Sequence, residues 1–411
     1  MLLNVISKKV KILLGIAVAL SLTHMNPAKA ASPKLDDLNK AIEFSTAYMQ
    51  KHTRDNGMFV YTIHLDPQAL IYDEYNILRH GGSIYSMTMA YENQPSPGLK
   101  ESILRAATYL KEEALWSVPF QKPMLAVWSR PEVNKAEIEF QAKLGGTGLG
   151  LVALLSIEKF EPGFTLLADL QKMGQFIVFM QKSHGGFYTK YIPAEGGLWD
   201  EWESLYYPGE AALGLLLLHE KDPKGPWRKT ALDALAYLAG QRKGHSDVPA
   251  DHWALLATAK LMRESKSSLT PEEIEMLQHH AVQICDTILR SQVLDKQSPK
   301  TYGGYDIDGR TTPTATRLEG LLASISDILP TDHPMHAKVK KSVPLATQYL
   351  LQSQFTTEPF VGAIPRATIT VDPFRPGGHP FNLRKDEVRI DYVQHALSAF
   401  IQYRDYYHPK K

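Results

Sequence analysis

The sequence predicts an all-α protein built from six successive helical hairpins. Apolar residues follow helical spacing along almost the whole chain, with 149–155, 211–218 and 318–328 as clear examples. Alternating, strand-like runs are scarce, and the best of them, 367–371, is short. The third observation is a helix ending that recurs about every 50 to 70 residues, which indicates an internal repeat.

The first helix of each repeat ends in an aromatic residue or leucine, often followed by glutamine. These endings lie at 47–52, 108–113, 178–183, 236–241, 287–292 and 348–353. A loop follows each ending, often with a Gly-Gly-aromatic sequence such as 185–187 and 303–305. The return of one helix type followed by a loop predicts one supersecondary unit repeated six times.

The second helix of each repeat is richer in small residues. These helices are predicted to begin near Asn76, Lys143, Pro208, Asp251, Pro313 and Asp391. Segments 144–155 and 207–218 contain glycines, and a glycine inside a helix costs up to about 1 kcal/mol relative to alanine. A closed ring of inner helices would explain them, because such helices need close approach on both flanks. An open solenoid of the same hairpins is the alternative.

Composition narrows the class of protein. The chain has 411 residues, 44% of them hydrophobic, with 45 Lys and Arg against 44 Asp and Glu, which is typical of a folded globular protein. The balanced charge gives no electrostatic reason to expect nucleic acid as a partner. The single cysteine, Cys285, excludes an intramolecular disulfide and a cluster of thiolate metal ligands.

The first thirty residues have the pattern of a signal peptide. Three lysines, Lys8, Lys9 and Lys11, precede the apolar run 12–22, and small residues at 28 and 30 favour cleavage before Ala31. An uncleaved membrane anchor is the alternative. After cleavage no run of about 18 apolar residues remains, so no stable membrane insertion is expected. The mature protein, 31–411, is predicted to be a single exported domain, periplasmic or secreted.

This organisation of six hairpins resembles the (α/α)6 toroid superfamily of six-hairpin glycosidase-like proteins. That group includes glycoside hydrolases, polysaccharide lyases and sugar epimerases. The resemblance covers essentially all of the chain after residue 30 and implies an (α/α)6 toroid with the second helices inside. The D-x-D-D sequence of squalene-type cyclases and the H-E-x-x-H metal motif are both absent, so no metal and no cofactor are predicted.

By analogy with that fold, the loops that enter the inner helices line one end of the barrel, where pockets form. Five polar residues near these helix starts are the catalytic candidates: Glu210, Asp251, Asp73, His80 and Asp391. Glu210 and Asp251 come first as the acid and the base or nucleophile of a hydrolase. A lyase or epimerase would instead use His80 or Tyr207 to abstract a proton.

Structural roles are the alternatives for these candidates. Glu210 opens a helix without a solvent-facing stripe, so it needs a partner or a raised pKa, unless it caps the first turn. Asp251 is equally typical of a helix N-cap, and His80 would fit a buried ion-paired network. Asp391 and His395 are four residues apart on one helix face, where the aspartate could simply hold the histidine.

Ten further residues are candidates for substrate binding. They are Asn76, Arg79, Trp202, Tyr206, Tyr207, His252, Trp253, Arg317, Glu319 and His395. Aromatic faces stack on sugar rings, although packing at the rim explains the aromatic cluster equally well. Five arginines also lie at or near the predicted inner ends: Arg79, Arg310, Arg317, Arg366 and Arg389. If several converge, they favour an anionic substrate such as a uronic-acid sugar.

The functional hypothesis is an exported carbohydrate-active enzyme, a hydrolase, lyase or epimerase, with a sugar or oligosaccharide as its partner. One alternative is a non-catalytic binding or scaffold toroid, in which arginines and lysines would pair every inner acid. Another is a toroid that handles isoprenoids or lipids, in which the barrel would be lined by aromatic residues and poor in carboxylates.

Overall fold

Six inner helices form a closed ring in the computed structural model, which describes residues 32–119, 123–135 and 137–409. In chain order the inner helices are α2 (Ile77–Asn93), α4 (Leu144–Ile157), α6 (Tyr207–Lys221), α8 (His252–Ser265), α10 (Thr311–Ala323) and α13 (Ile390–Tyr407). Each packs against the next, and α13 packs against α2. The predicted closed toroid is therefore confirmed, and the open solenoid is excluded.

Six outer helices alternate with the inner ones along the chain. They are α1 (Leu35–Lys51), α3 (Pro97–Glu113), α5 (Leu167–Phe179), α7 (Trp227–Arg242), α9 (Pro271–Arg290) and α11 (Pro334–Ser353). A short helix, α12 (Gly378–Leu383), precedes the last inner helix, and a π-helical segment, Ser324–Ile328, continues α10. Each inner helix begins within two residues of the start predicted from the sequence.

Within the described residues, seven short strands lie in the segments that lead into inner helices. They are β1 (Thr62–His64), β2 (Leu115–Ser117), β3 (Leu125–Ser129), β4 (Gln141–Lys143), β5 (Lys190–Ile192), β6 (Gly197–Trp199) and β7 (Glu387–Arg389). β1 pairs antiparallel with β7, placing Thr62 opposite Arg389, and β2 to β6 form one antiparallel sheet in chain order. The strand-like run 367–371 forms only an isolated bridge, between Ala367 and Arg310.

Most residues of the inner helices are buried, which explains their small residues. Every residue of α4 is buried. A β-carbon on Gly148 would lie 2.7 Å from the backbone nitrogen of Ala211, and one on Gly214 would lie 2.7 Å from the carbonyl oxygen of Gly148. These glycines therefore set how closely α4 and α6 can approach.

The predicted signal segment, 1–30, lies outside the described residues. Within the part of the chain that the structure describes, none of the helices combines the length and the apolar character needed to cross a bilayer.

Replacing Gly148 with alanine is expected to destabilise the protein by about 1–3 kcal/mol, because the added methyl group would overlap the backbone of α6. The matched control is Gly240→Ala on α7, where a β-carbon meets nothing within 4 Å. That change should be neutral or stabilise by up to about 1 kcal/mol. Urea unfolding of both variants checks this, and equal effects would contradict close packing as the reason for Gly148.

Candidate active site

The loops that enter the inner helices surround a cavity of about 600 Å³. Ten of the predicted site residues line it: Asn76, Arg79, Tyr206, Tyr207, Glu210, His252, Trp253, Arg317, Asp391 and His395. The other lining residues include Tyr392, Gln394 and further charged side chains from the loops before α10 and α13. The cavity therefore lies at the inner-helix end where the sequence predicted the site.

Two histidines lie side by side in the cavity wall, with their rings edge to face. His252 begins α8 and His395 lies on α13, and their ring centroids are 5.7 Å apart at a steep interplanar angle. His395 Nδ1 lies 2.8 Å from a carboxylate oxygen of Glu319, whose other oxygen accepts a hydrogen bond from Ser398. Glu319 is 4% exposed and lies behind His395, outside the cavity lining. The carboxylate thus holds one ring in a fixed orientation.

His252 is the less constrained of the two. It is 1% exposed, and neither ring nitrogen has a hydrogen-bond partner among the described residues. Burial, then the neighbouring His395 and Arg317, hold its pKa well below the usual value. A neutral imidazole with two unpartnered nitrogens can accept a proton from, or bond to, a bound molecule.

In the described chain, one group of side chains has donor atoms placed to hold a metal ion: His252, Glu319 and His395. One ligand atom each from His252, Glu319 and His395 lies within 4.8 Å of the others. Two imidazoles and a carboxylate are a donor set that zinc accepts. Glu319, however, already bonds both His395 and Ser398, so binding a cation would require it to exchange these bonds.

Glu210 is a second buried group that lacks a partner. It lies in the first turn of α6, is 5% exposed, and its Oε2 has no hydrogen-bond partner within the described ranges. Burial, with a contribution from Asp251, raises its pKa to about 8. A β-carbon on Gly145 would collide with this carboxyl, so the glycine leaves room for it. At neutral pH, Glu210 is a neutral acid that can donate a hydrogen bond or a proton.

Asp391 behaves in the opposite way. Burial alone would raise its pKa, but the guanidiniums of Arg79 and Arg389 outweigh burial and hold the pKa at about 2. Arg389 bonds both carboxylate oxygens, at 2.6 and 3.0 Å, and Arg79 Nε lies 3.2 Å away. Arg79 also donates to the hydroxyl of Tyr61. Asp391 is therefore an ionised and fully neutralised carboxylate in the cavity wall.

Asp251 does not line the cavity. It is fully buried, its Oδ1 accepts the N–H of Ala254 at 3.0 Å as an N-cap, and its Oδ2 binds Arg242 at 2.8 Å. The structural alternative weighed for Asp251 from the sequence is the arrangement found. The residue that follows it, His252, is the one that reaches the cavity.

Three more candidates lie apart from the lining. His80 is buried, with Nδ1 2.7 Å from the Tyr75 hydroxyl and Nε2 2.8 Å from a backbone carbonyl. Asp73 forms an exposed ion pair with Lys135. Trp202 is half-exposed and meets the ring of Tyr207 edge to face. Each has a local partner that explains its orientation without a ligand.

The arginines named from the sequence do converge. The cavity lining contains Arg79, Arg310, Arg317, Arg366, Arg384 and Arg389, with Glu210, Asp306 and Asp391 as its carboxylates. Among the cavity arginines, sequence reasoning missed Arg384. It lies in the irregular segment between α12 and β7, where no helical or strand pattern gives its position. Its signal would have been the basic composition of that loop.

Comparisons with known proteins place this fold. No family model matches the chain, and no curated protein matches it by sequence. A D-mannose isomerase structure matches with a TM-score of 0.64 at 10% identity, over 92% of this chain and 99% of its own. Cellobiose 2-epimerase from Bacillus thermoamylovorans gives 0.63 at 11% identity, over 90% of this chain and 98% of its own.

A third structure extends the range of activities. Unsaturated glucuronyl hydrolase from Streptococcus agalactiae has a TM-score of 0.58 at 12% identity, over 91% of this chain and 93% of its own. At such identities the likeness shows the fold alone, which is the (α/α)6 toroid that the repeats predicted.

Replacing Arg242 with methionine is expected to cost about 3–5 kcal/mol, because it leaves Asp251 buried and unpaired. The matched control is Arg290→Met, which breaks half-exposed ion pairs with Asp247 and Asp286 and should cost less than about 1 kcal/mol. Urea unfolding measures both. A small effect of Arg242→Met would mean that Asp251 is not held by this pair.

Replacing Glu210 with glutamine should alter how stability depends on pH. Folded Glu210 keeps its proton up to about pH 8, whereas a free glutamate ionises near 4.5. Between these values the folded state holds the additional proton, so this group lowers stability as pH rises. The variant should match wild type near pH 4 and exceed it at pH 8, by at most about 5 kcal/mol.

The measurement is urea unfolding of both proteins from pH 4 to pH 9, with Glu161→Gln on the surface as the control. Parallel curves for wild type and Glu210→Gln would contradict a protonated Glu210.

Proposed function

We propose that this protein is a carbohydrate-active enzyme that moves a proton on a sugar carbon, as an epimerase or isomerase does, with His252 and His395 as the proton-transfer pair. The observation that carries the proposal is the pair of adjacent imidazoles in the cavity wall, one unpartnered and the other held by Glu319. Two imidazoles side by side in one wall can act on the same carbon or on two neighbouring carbons of a sugar bound in the cavity.

The chemistry follows from the positions of the two rings. Neutral His252 removes a proton from the carbon beside the carbonyl group, and the electrons of the broken C–H bond move onto the carbonyl oxygen. The resulting enediolate regains a proton at the same carbon from the opposite side in an epimerisation. In an isomerisation the former carbonyl carbon takes the proton, and the proton of the adjacent hydroxyl moves to the former carbonyl oxygen. A proton on His395 supplies this second step, and Glu319 stabilises that charged ring.

The developing negative charge on oxygen needs a donor. Protonated Glu210 and the guanidinium of Arg79 both line the cavity and can supply one. Similar structures are named as a D-mannose isomerase and a cellobiose 2-epimerase, and those names support this type of reaction for the present chain.

Hydrolysis of a glycosidic bond is the second candidate. It is favoured by the opposite states of Glu210 and Asp391, since a hydrolase needs one protonated acid and one ionised carboxylate. The similar unsaturated glucuronyl hydrolase also supports it. Against it, two arginines already neutralise Asp391, which weakens that carboxylate as a base or nucleophile, and hydrolysis gives the histidine pair no role.

The binding-protein and lipid alternatives receive less support. A scaffold was expected to pair every inner acid, whereas Glu210 Oε2 has no partner in the described chain. A lipid-handling barrel was expected to be aromatic and poor in charge, whereas arginines and carboxylates line this cavity. We also propose that the protein is exported, from the pattern of residues 1–30, and that its sugar is anionic, from the excess of arginines.

Incubating the protein with sugars in D2O tests the proposal. Wild type should place deuterium at the carbon beside the carbonyl of its substrate, followed by NMR with mannose, cellobiose and hexuronates as probes. His252→Asn and His395→Asn should each slow exchange at least about 100-fold, because each removes a proton-transfer group. His184→Asn, an exposed histidine outside the cavity lining, is the control.

Exchange that survives both histidine substitutions would overturn this assignment. Release of new reducing ends without deuterium at carbon, dependent on Glu210, would establish the hydrolase instead.

A further inference from the structure

We propose that Arg317 and Arg366, beside the first turn of α10, form a subsite for a negatively charged substituent of the sugar. The inference rests on the proposed function, because it assigns a part of the same cavity to part of the substrate. Arg317 and Arg366 would bind the charged group, whereas the other cavity arginines have structural roles.

Four of the six cavity arginines already have carboxylate partners. Arg79 and Arg389 share Asp391, at 3.2 Å and 2.6 Å. Arg384 binds Glu387 through two nitrogens, at 2.7 and 3.0 Å, and Arg310 lies 2.8 Å from Asp306. The charges of these arginines are compensated by the protein itself.

Arg317 and Arg366 differ from that group. Among the described residues neither has a carboxylate oxygen within 4.0 Å. Arg317 donates to the carbonyl of Tyr305 and, at 3.4 Å, to the hydroxyl of Ser291. Arg366 donates to the carbonyl of Phe381 at 3.2 Å and lies over its ring. Both guanidiniums are therefore anchored by neutral acceptors, which hold their position and leave each without a directly bound carboxylate.

A charge in a cavity wall without a directly bound counter-ion is costly unless an anion completes it. Burial is the first cause that lowers the pKa of both arginines, and Arg310 lies within electrostatic range of both. Asp306 acts on Arg317 and Glu387 acts on Arg366 in the opposite direction. The lining still holds six arginines against three carboxylates, one of them the protonated Glu210, so an excess of positive charge remains in the cavity.

The start of α10 adds to that excess. Within the described residues, α10 has no acidic residue in its first turn and no side chain that caps its start. The N–H of Thr311 donates to the carbonyl of Arg366 at 3.1 Å, which ties the arginine segment to the helix start. Thr312 and Thr316 line the cavity beside it. The Thr316 hydroxyl already donates to the carbonyl of Pro313, so the positive end of the helix dipole and the Thr312 hydroxyl are what favour an oxyanion at this point.

The ligand chemistry is an oxyanion attached to a sugar ring, either a carboxylate or a phosphate ester. The arginine fork binds both. The matched probes are a hexose, its uronate and its 6-phosphate, which differ only at one carbon, each in the gluco, galacto and manno series.

Calorimetric titration of the full protein with these probes tests the subsite. Wild type should bind one charged sugar more tightly than the neutral hexose of the same series, and less tightly as salt rises. Arg317→Gln and Arg366→Gln should each weaken that sugar by roughly 10- to 100-fold. Lysine at either position should restore part of the loss. Arg384→Gln, whose charge Glu387 already compensates, should change affinity by less than about threefold.

Preference for the uronate would identify a carboxylate, and preference for the 6-phosphate would identify a phosphate ester. Two results would overturn the subsite: no preference for charge in any series, or an Arg384→Gln effect as large as that of Arg317→Gln.

The deuterium experiment separates this inference from the proposed function. Arginine-dependent binding of a charged sugar without exchange at carbon would leave the subsite standing and remove the epimerase or isomerase. Histidine-dependent exchange on a neutral sugar, unchanged by Arg317→Gln and Arg366→Gln, would do the reverse.

Discussion

Closure of the inner ring is the constraint on which the rest of this structure depends. Six helices that touch neighbours on both flanks have no solvent-facing side, so they must be apolar and, at close contacts such as Gly148 with Gly214, small. The ring also brings six helix starts to one end. Polar side chains at those starts must then pair with each other or face the cavity, because water reaches them only there.

At this end of the ring, two buried carboxyl groups have different protonation states. Glu210 and Asp391 both line the cavity, yet one is a neutral acid and the other a fixed anion. The difference comes from their partners, since Asp391 lies between Arg79 and Arg389 whereas Glu210 has an unpartnered oxygen. The fold supplies desolvation to both positions, and Arg79 and Arg389 decide which carboxylate can keep its charge.

The order of the helices and their starts were predictable because both depend on local sequence patterns. Small residues mark where the inner helices begin, and Asn76 and Asp251 also cap two of them, so the starts were predicted closely. Which side of a helix start faces the cavity was not, because capping and packing turn neighbouring residues in opposite directions. Asp251 caps α8 and pairs with Arg242, while His252 beside it faces the cavity. A contact between distant segments, such as that of His395 with Glu319, cannot be predicted from the sequence of either segment alone.

The charged and the reacting parts of the cavity are electrostatically connected. Burial, His395 and then Arg317 keep the pKa of His252 low. An anion bound at Arg317 would offset the last of these effects and make His252 a stronger base while the sugar is in place. Substrate charge would then contribute to catalysis as well as to affinity, since the base would reach its working strength only in the complex. This arrangement gives a physical reason why Arg317 has no carboxylate partner. A permanent carboxylate would screen the charge of Arg317 from His252 whether or not a sugar was bound.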